Sequence, residues 1–181
     1  MVRAQGGDEH AFEALSAATH PRLYRVALGI LRDPSHAEDA TQQAIINIWR
    51  HLPRLRDPAR FASWSYKVLV NACADQADAS PRWLPEEALP PARIPRADDG
   101  FGPIHDRDQL ERAFARLSVE HRAVIVMRYL LDMSQEQVAA ALDIPLGTVG
   151  SRLSRAMAAM RAALEADARR QEDPTRAAAL R

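Results

Sequence analysis

The chain has 181 residues, of which 47% are hydrophobic and only 6% aromatic, and its 24 basic residues are balanced by 24 acidic ones. Because the formal net charge is zero, long-range attraction alone cannot explain tight binding to nucleic acid, so any such contact must be local. The single cysteine, Cys73, excludes an internal disulfide framework and a zinc site built from cysteines. No apolar run approaches the ~20 residues that span a bilayer, and the first residues lack the apolar core of a signal peptide. The sequence therefore predicts a soluble, cytoplasmic protein without membrane insertion.

Residues 9–78 carry apolar side chains at helical spacing in three successive stretches. Pro21 suits the first turn of a new helical segment, Asp33-Pro34 separates the first two stretches, and Asp57-Pro58 precedes the third. Alanine, the strongest helix former, is abundant throughout. These patterns predict three or four packed helices and an all-α fold.

Residues 79–107 interrupt the helical pattern. Half of the 12 prolines lie there, together with Gly100, Gly102 and an excess of acidic residues, a composition that resists helix and predicts a linker. Its apolar residues either dock on a partner as an extended strip or remain flexible; they are Trp83, Leu84, Ile94 and Phe101. The linker divides the chain into two small helical domains, residues 9–78 and 108–165. Residues 166–181 are expected to be a frayed tail, with a protease handle at its apolar end as the alternative.

The second domain contains a helix-turn-helix pattern. Ser134 and Gln137 form a capping box that predicts a helix start, the helix should stop near Asp143, and new helical spacing begins around Thr148. In such a motif the second helix enters the major groove, and its exposed N-terminal residues reach base edges. The candidates here are Thr148, Gly150, Ser151, Arg152, Ser154 and Arg155. No acidic residue occurs between positions 147 and 164, which leaves a local cationic strip; a helical hairpin with a solvated basic face is the alternative.

Residues 117–156, above all the run Gly147-Thr-Val-Gly-Ser-Arg-Leu153, resemble the domain of bacterial RNA polymerase sigma factors that reads the −35 promoter element. Several runs of the first domain resemble the family's polymerase-binding and −10-binding domain, including Ala37-Glu-Asp-Ala-Thr-Gln-Gln43 and Phe61-Ala-Ser-Trp64. The two matches occur in the family's order, with a linker in the family's place. The chain thus resembles an extracytoplasmic-function (ECF) sigma factor of the sigma-70 family, group 4, with a sigma-2-like helical bundle and a sigma-4-like helix-turn-helix domain.

This resemblance implies a protein that binds core RNA polymerase through the clamp coiled coil and the flap, recognises promoter DNA at −35 and −10, and promotes strand opening. It implies no catalytic residue, metal, cofactor or small-molecule substrate. The residues implied in polymerase binding are Glu38, Asp39, Gln42 and Gln43. Those implied at the −10 element are Arg56, Phe61, Lys67 and Asn71, where the amide of Asn71 offers both a donor and an acceptor to a flipped base. The existence of an anti-sigma partner is left open.

The sequence also departs from the family pattern. Gly150 stands where a basic residue is common, and arginines are missing around and beyond Asn71, so phosphate contacts at both elements should be weaker. The rival interpretation is a helix-turn-helix regulator that binds a palindromic site as a dimer, without polymerase. An enzyme has little support, since the six histidines are scattered and no glycine-rich phosphate loop appears.

Overall fold

The computed structural model describes residues 1–79 and 104–172, the side chains at 79, 104–107 and 170–172 excepted. All regular structure in these residues is helical, which confirms the all-α class. The helices are α1 (Val2–Gln5), α2 (Glu9–Leu31), α3 (Pro34–His51), α4 (Phe61–Ala79), α5 (Ile104–Ala115), α6 (Val119–Ile125), α7 (Gln135–Leu142) and α8 (Leu146–Glu172). The apolar strip predicted in the linker lies outside the described residues.

Side-chain caps fix the starts of several helices. The Asp33 carboxylate accepts from the backbone N–H of His36 at 2.8 Å, so α3 begins at Pro34, at the boundary predicted between the first two helical stretches. At α7, Ser134 Oγ accepts from the Gln137 N–H at 3.2 Å, and Gln137 Oε1 accepts from the Ser134 N–H at 2.7 Å. The predicted capping box is therefore confirmed.

Pro21 lies inside α2, so the prediction that a new helical segment begins there was wrong. A proline in a helix interior lacks the N–H for one intrahelical hydrogen bond and crowds the preceding turn. The side chain of Pro21 is exposed, while the next turns bury Leu23, Val26 and Ile30 in the core. The stability gained by packing these residues in the core outweighs the local cost of the proline, so the helix continues past Pro21.

The helix α8 continues through Glu172, so the expectation of a frayed tail was wrong for residues 166–172. Asp167 is 9% exposed and faces two arginines, Arg112 of α5 and Arg116 directly after its end. Arg116 Nη2 lies 3.4 Å from one carboxylate oxygen, and Arg112 Nε lies 3.8 Å from the other. These ion pairs and the packing of α5 on α8 hold the end of the long helix in place.

The two halves of the chain share one hydrophobic core. A single cluster of buried side chains includes Leu23, Ile30 and Leu69 from the first half and Met127 and Val138 from the second. In this arrangement α2 and α4 lie against α6, and α4 also lies against α7. The two helical halves therefore pack directly on one another, and their buried side chains form a continuous cluster.

No helix within residues 1–79 and 104–172 is both long and apolar enough to cross a membrane.

Candidate nucleic-acid interface

A tight turn connects α7 to α8. Asp143 ends α7 in the left-handed conformation at φ 55°, a conformation that aspartate tolerates better than most residues. The N–H of Ile144 donates to the Ala139 carbonyl at 3.1 Å, and the N–H of Thr148 donates to the Pro145 carbonyl at 2.8 Å. The chain thus leaves one helix and enters the next within a few residues, which confirms the predicted helix-turn-helix geometry.

All six residues predicted to read the −35 element lie in the first turns of α8. Ser154 and Arg155 are exposed, and the other four, which are Thr148, Gly150, Ser151 and Arg152, are half-buried. Val149 and Leu153 are buried on the opposite face and anchor the helix. Ser154 and Arg155 are therefore the most accessible members of the set.

Two of the half-buried candidates, Ser151 and Arg152, already interact with groups within the protein. Ser151 Oγ donates to the Thr148 carbonyl at 3.0 Å, inside the helix itself. Arg152 lies near Glu120 of α6, whose pKa is lowered by a hydrogen bond with Ser118 and also by the charge of Arg152. The negative charge of Glu120 thus partly compensates the positive charge of Arg152 within the protein. Arg155 is therefore the better candidate for a DNA contact.

Position 150 has room for a side chain, although Gly150 itself is half-buried. A Cβ at this position would meet only Gln135 Oε1, at an ordinary contact distance of 3.8 Å. Sterics therefore do not require glycine here.

The candidates for the −10 element lie on or before α4. Lys67 and Asn71 are four residues apart and share one face of that helix, and Asn71 is exposed. Arg56 is exposed in the segment between two short 3-10 turns, Leu52–Arg54 and Pro58–Arg60. Phe61 is half-buried, packs on the core and lies 6.2 Å from the Trp64 ring, which suits a structural role.

Lys67 already has a partner in the second half of the chain. Its Nζ lies 2.7 Å from Asp143 Oδ2, although the two residues are 76 positions apart. This hydrogen bond, with the added charge of Arg60, lowers the pKa of the Asp143 carboxyl. Sequence reasoning treated Asp143 only as a helix end and missed this contact.

The candidates for polymerase binding lie along the outer face of α3. Asp39, Gln42 and Gln43 are exposed, while Glu38 is half-buried and lies 3.4 Å from His20 Nε2. Asp39 Oδ2 accepts from Gln76 Nε2 at 3.3 Å, which ties this face to α4.

One apolar residue on the same face was missed. Ile46 is 44% exposed and lies seven residues after Asp39, four after Gln42 and three after Gln43, spacings that place residues on one side of a helix. A single exposed apolar side chain is common on protein surfaces, so Ile46 adds to the polar stripe without marking an interface by itself. The sequence did contain this signal, since Ile46 falls between the core positions Ile45 and Ile48.

Among the residues that the structure describes, no group of three or more histidine, cysteine, aspartate or glutamate side chains could hold a metal ion. A cavity of about 550 Å³ lies between the end of α4 and the connection from α5 to α6. Its walls include Ala74 and Ala77 from the first half and Ser118, Val119 and Arg122 from the second.

Comparison with known families and proteins matches both halves. Residues 15–80 match the family model "Sigma-70 region 2", and residues 107–160 match "Sigma-70, region 4". The chain is 34% identical over 155 residues to the ECF RNA polymerase sigma factor SigM of Mycobacterium tuberculosis, covering 84% of this chain and 76% of SigM. It is 32% identical over 160 residues to the RNA polymerase sigma-E factor of Streptomyces antibioticus, covering 88% and 87%.

Two solved structures share the fold. CnrH, in complex with the cytosolic domain of CnrY, aligns with a TM-score of 0.62 at 24% identity and covers 92% of this chain and 95% of CnrH. The sigma factor RpoE of Bartonella quintana, in complex with the anti-sigma factor NepR, aligns with a TM-score of 0.61 at 22% identity, covering 87% and 98%. Together with the matches to both sigma-70 regions, the helical architecture and the helix-turn-helix are those of a promoter-recognition protein. The chain belongs to the ECF family of bacterial RNA polymerase sigma factors, which bind core polymerase and promoter DNA to initiate transcription.

Proposed function

We propose that this sigma factor reads the −35 element with the first turns of α8, and that Arg155 makes the principal base or phosphate contact. The observation that carries this assignment is the exposure of Ser154 and Arg155 on a helix that begins immediately after the tight turn. The absence of acidic residues between positions 147 and 164 keeps this strip cationic on a protein without net charge.

We assign the −10 element to the exposed face of α4. Asn71 presents its amide to solvent, and Lys67 lies one turn before it, so a flipped base could meet the amide while the ammonium meets a phosphate. Arg56 is a further exposed cation of this half. Because Phe61 packs inward, it supports the helix start.

We assign polymerase binding to the stripe on α3 formed by Asp39, Gln42, Gln43 and Ile46. The polar residues supply directional hydrogen bonds, and Ile46 supplies an exposed apolar side chain that binding to polymerase would remove from water. Since its partner is polymerase, we place the protein in the cytoplasm, where it acts by binding and performs no chemistry of its own.

Binding by reconstituted holoenzyme tests the −35 assignment. Arg155→Ala should weaken binding to a −35-containing duplex by about 1–3 kcal/mol if the guanidinium contacts a base, with relaxed sequence preference. Arg169→Ala is the matched control. Arg169 is an exposed arginine of the same helix, more than three turns after Arg155, and it pairs with Glu165. Equal affinities for Arg155→Ala and Arg169→Ala would refute the placement of Arg155 in the groove.

Two observations bear on further partners. CnrH and RpoE were each solved bound to another protein, so we propose that a protein partner also restrains this sigma factor. An affinity-tagged chain recovered from its own cells should bring down such a partner besides polymerase subunits, and recovery with polymerase subunits alone would contradict the proposal.

The rival interpretation, a dimeric regulator, predicts a stable dimer on DNA without polymerase. Gel filtration distinguishes such a dimer from co-elution of the protein with core enzyme.

A further inference from the structure

The side chain of Gln5 bridges α1 to a loop that lies 50 positions later in the chain. Its Nε2 donates to the Leu55 carbonyl at 2.7 Å, and the Leu52 carbonyl lies 3.4 Å from the same atom. Both acceptors come directly after α3, where the carbonyl groups at a helix end lack partners within the helix. An amide satisfies such carbonyls as a lysine would, but it adds no charge. Gln5 therefore holds the backbone of this loop.

The short helix that carries Gln5 is itself anchored. Ala4 is 1% exposed, so α1 is packed against the rest of the protein. Gly7 adopts φ 86°, a conformation that glycine allows and that lets the chain turn between α1 and α2. Arg3 Nη2 lies 2.7 Å from one carboxylate oxygen of Asp8, and the other oxygen caps the start of α2. These contacts fix the position from which the Gln5 amide reaches the loop.

The loop at residues 52–60 connects α3 to α4 and is rich in positive charge. Its three exposed cations are Arg54, Arg56 and Arg60, and Asp57 is its single acidic residue. On a protein with zero net charge, such a local excess of arginine attracts phosphate groups at short range. The loop leads directly into α4, the helix that we assign to the −10 element.

Arg56 is the cation whose direction depends most directly on Gln5. It follows Leu55, whose carbonyl accepts from the Gln5 amide. It precedes Asp57, whose carboxylate accepts from the Ala59 N–H at 2.9 Å and so fixes the next turn. Arg56 thus lies between two fixed points of the backbone. Loss of the first would free the peptide unit between Leu55 and Arg56, and ordering that unit again would oppose any contact that Arg56 makes.

We propose that Gln5 is a positioning residue for promoter binding, which orients Arg56 toward a phosphate of the −10 element by holding the Leu55 carbonyl. The proposal rests on the proposed assignment of this half of the chain to the −10 element. In this role Gln5 makes no contact with DNA, because its amide is directed at the loop. Its effect on binding is therefore carried through Arg56.

A double-mutant cycle with reconstituted holoenzyme tests this proposal. The probe is a promoter duplex mismatched across the −10 element, so that strand opening does not enter the measurement. Gln5→Met keeps the length of the side chain but removes its donor, and it should weaken binding by about fivefold, the upper range for one exposed ion pair. In an Arg56→Ala background the same substitution should weaken binding by less than about twofold, because the side chain that Gln5 positions is gone.

Equal losses in the two backgrounds, or no loss in either, would overturn the proposal. Val2→Met is the matched control, since Val2 is 73% exposed on the same short helix and receives the same side chain. It should bind as wild type does. Wild-type holoenzyme tests the proposed function separately. If it does not prefer the probe to one with a scrambled −10 element, the assignment of this half fails, whereas normal preference with equal losses refutes only the role of Gln5.

Hydrogen exchange of the free protein follows the loop without DNA. In Gln5→Met the loop amides, including the Leu55 N–H that donates to the Leu52 carbonyl, should exchange at least about fivefold faster, while α2 and α3 keep their protection. Gln5→Lys restores a donor of sufficient length and should return the loop toward the wild-type rates. Faster exchange throughout the protein would show a general loss of stability and would overturn the positioning role, as would loop rates that Gln5→Met leaves unchanged.

Discussion

Gly150 offers a sharp test of the recognition helix, because two effects of one substitution can be separated. Glycine costs about 1 kcal/mol relative to alanine inside a helix, and the open space around position 150 accepts a side chain. Gly150→Lys should also place an ammonium one turn before the exposed Ser154, on the same face of α8. Gly150→Ala is the matched control, since it restores helix propensity without adding charge.

The expected magnitudes follow from position and charge. Gly150→Ala should stabilise the protein by about 1 kcal/mol, which raises Tm by about 2–4 °C for a chain of this size. Lysine near a helix N-terminus opposes the helix dipole, so Gly150→Lys should recover only about half of that stabilisation. One added phosphate contact steepens the salt dependence of binding by about 0.9 in slope, or roughly 3.5-fold in affinity between about 50 and 200 mM salt.

The assay is a salt titration of holoenzyme binding to a −35 duplex, with thermal unfolding of the free protein in parallel. Gly150→Lys should bind more tightly at low salt and show the steeper slope, whereas Gly150→Ala should keep the wild-type slope. If the two variants have the same slope, position 150 does not face a phosphate, and the orientation assigned to α8 would be wrong.

Three further outcomes are expected. Changing Asp39 and Gln42 together to alanine should weaken core-polymerase binding by about fivefold or more with an unchanged helical spectrum, and unaltered competition for core enzyme would remove the α3 stripe from the interface. Asn71→Ala should impair opening of duplex promoters but recover on a template already mismatched across the −10 element, where part of the flipping cost is absent; an equal defect on both templates would assign Asn71 to folding or polymerase contact. The Cys73 thiol, held protonated by burial with a pKa of about 12, should react with a thiol reagent at pH 8 only after unfolding, and rapid reaction of native protein would contradict its placement in the core.

Local signals allowed much of the fold to be predicted from the sequence. The helix starts at Pro34 and Gln135 depend on caps whose partners lie three residues away, so the pattern is visible in a short window. The failure at Pro21 has the opposite cause, because burial of the following turns in a distant core overrides the local preference. The end of α8 was missed for the same reason, since Asp167 is held by arginines about 50 positions earlier.

For the candidate site too, local patterns could be predicted from the sequence, whereas contacts between distant positions could not. Positions on α8 could be proposed from the helix-turn-helix pattern and those on α3 from the family resemblance, and the structure finds Arg155 and Asp39 exposed. The contacts of Gly29 with Val126 and of Lys67 with Asp143 join residues nearly 100 and 76 positions apart. No spacing rule connects such residues in a single sequence, so the closed packing of the halves became visible only in three dimensions.

The buried side chain of Arg122 places a positive charge inside the boundary between the halves. Its side chain is 2% exposed in α6, between the halves, and desolvation lowers its pKa to about 10, so it still carries its charge at neutral pH. Holding a guanidinium away from water is costly, and apolar residues of similar volume often replace buried charges without loss of stability. Apolar packing at this boundary therefore surrounds a charge, which a core built entirely from Leu and Val would not contain.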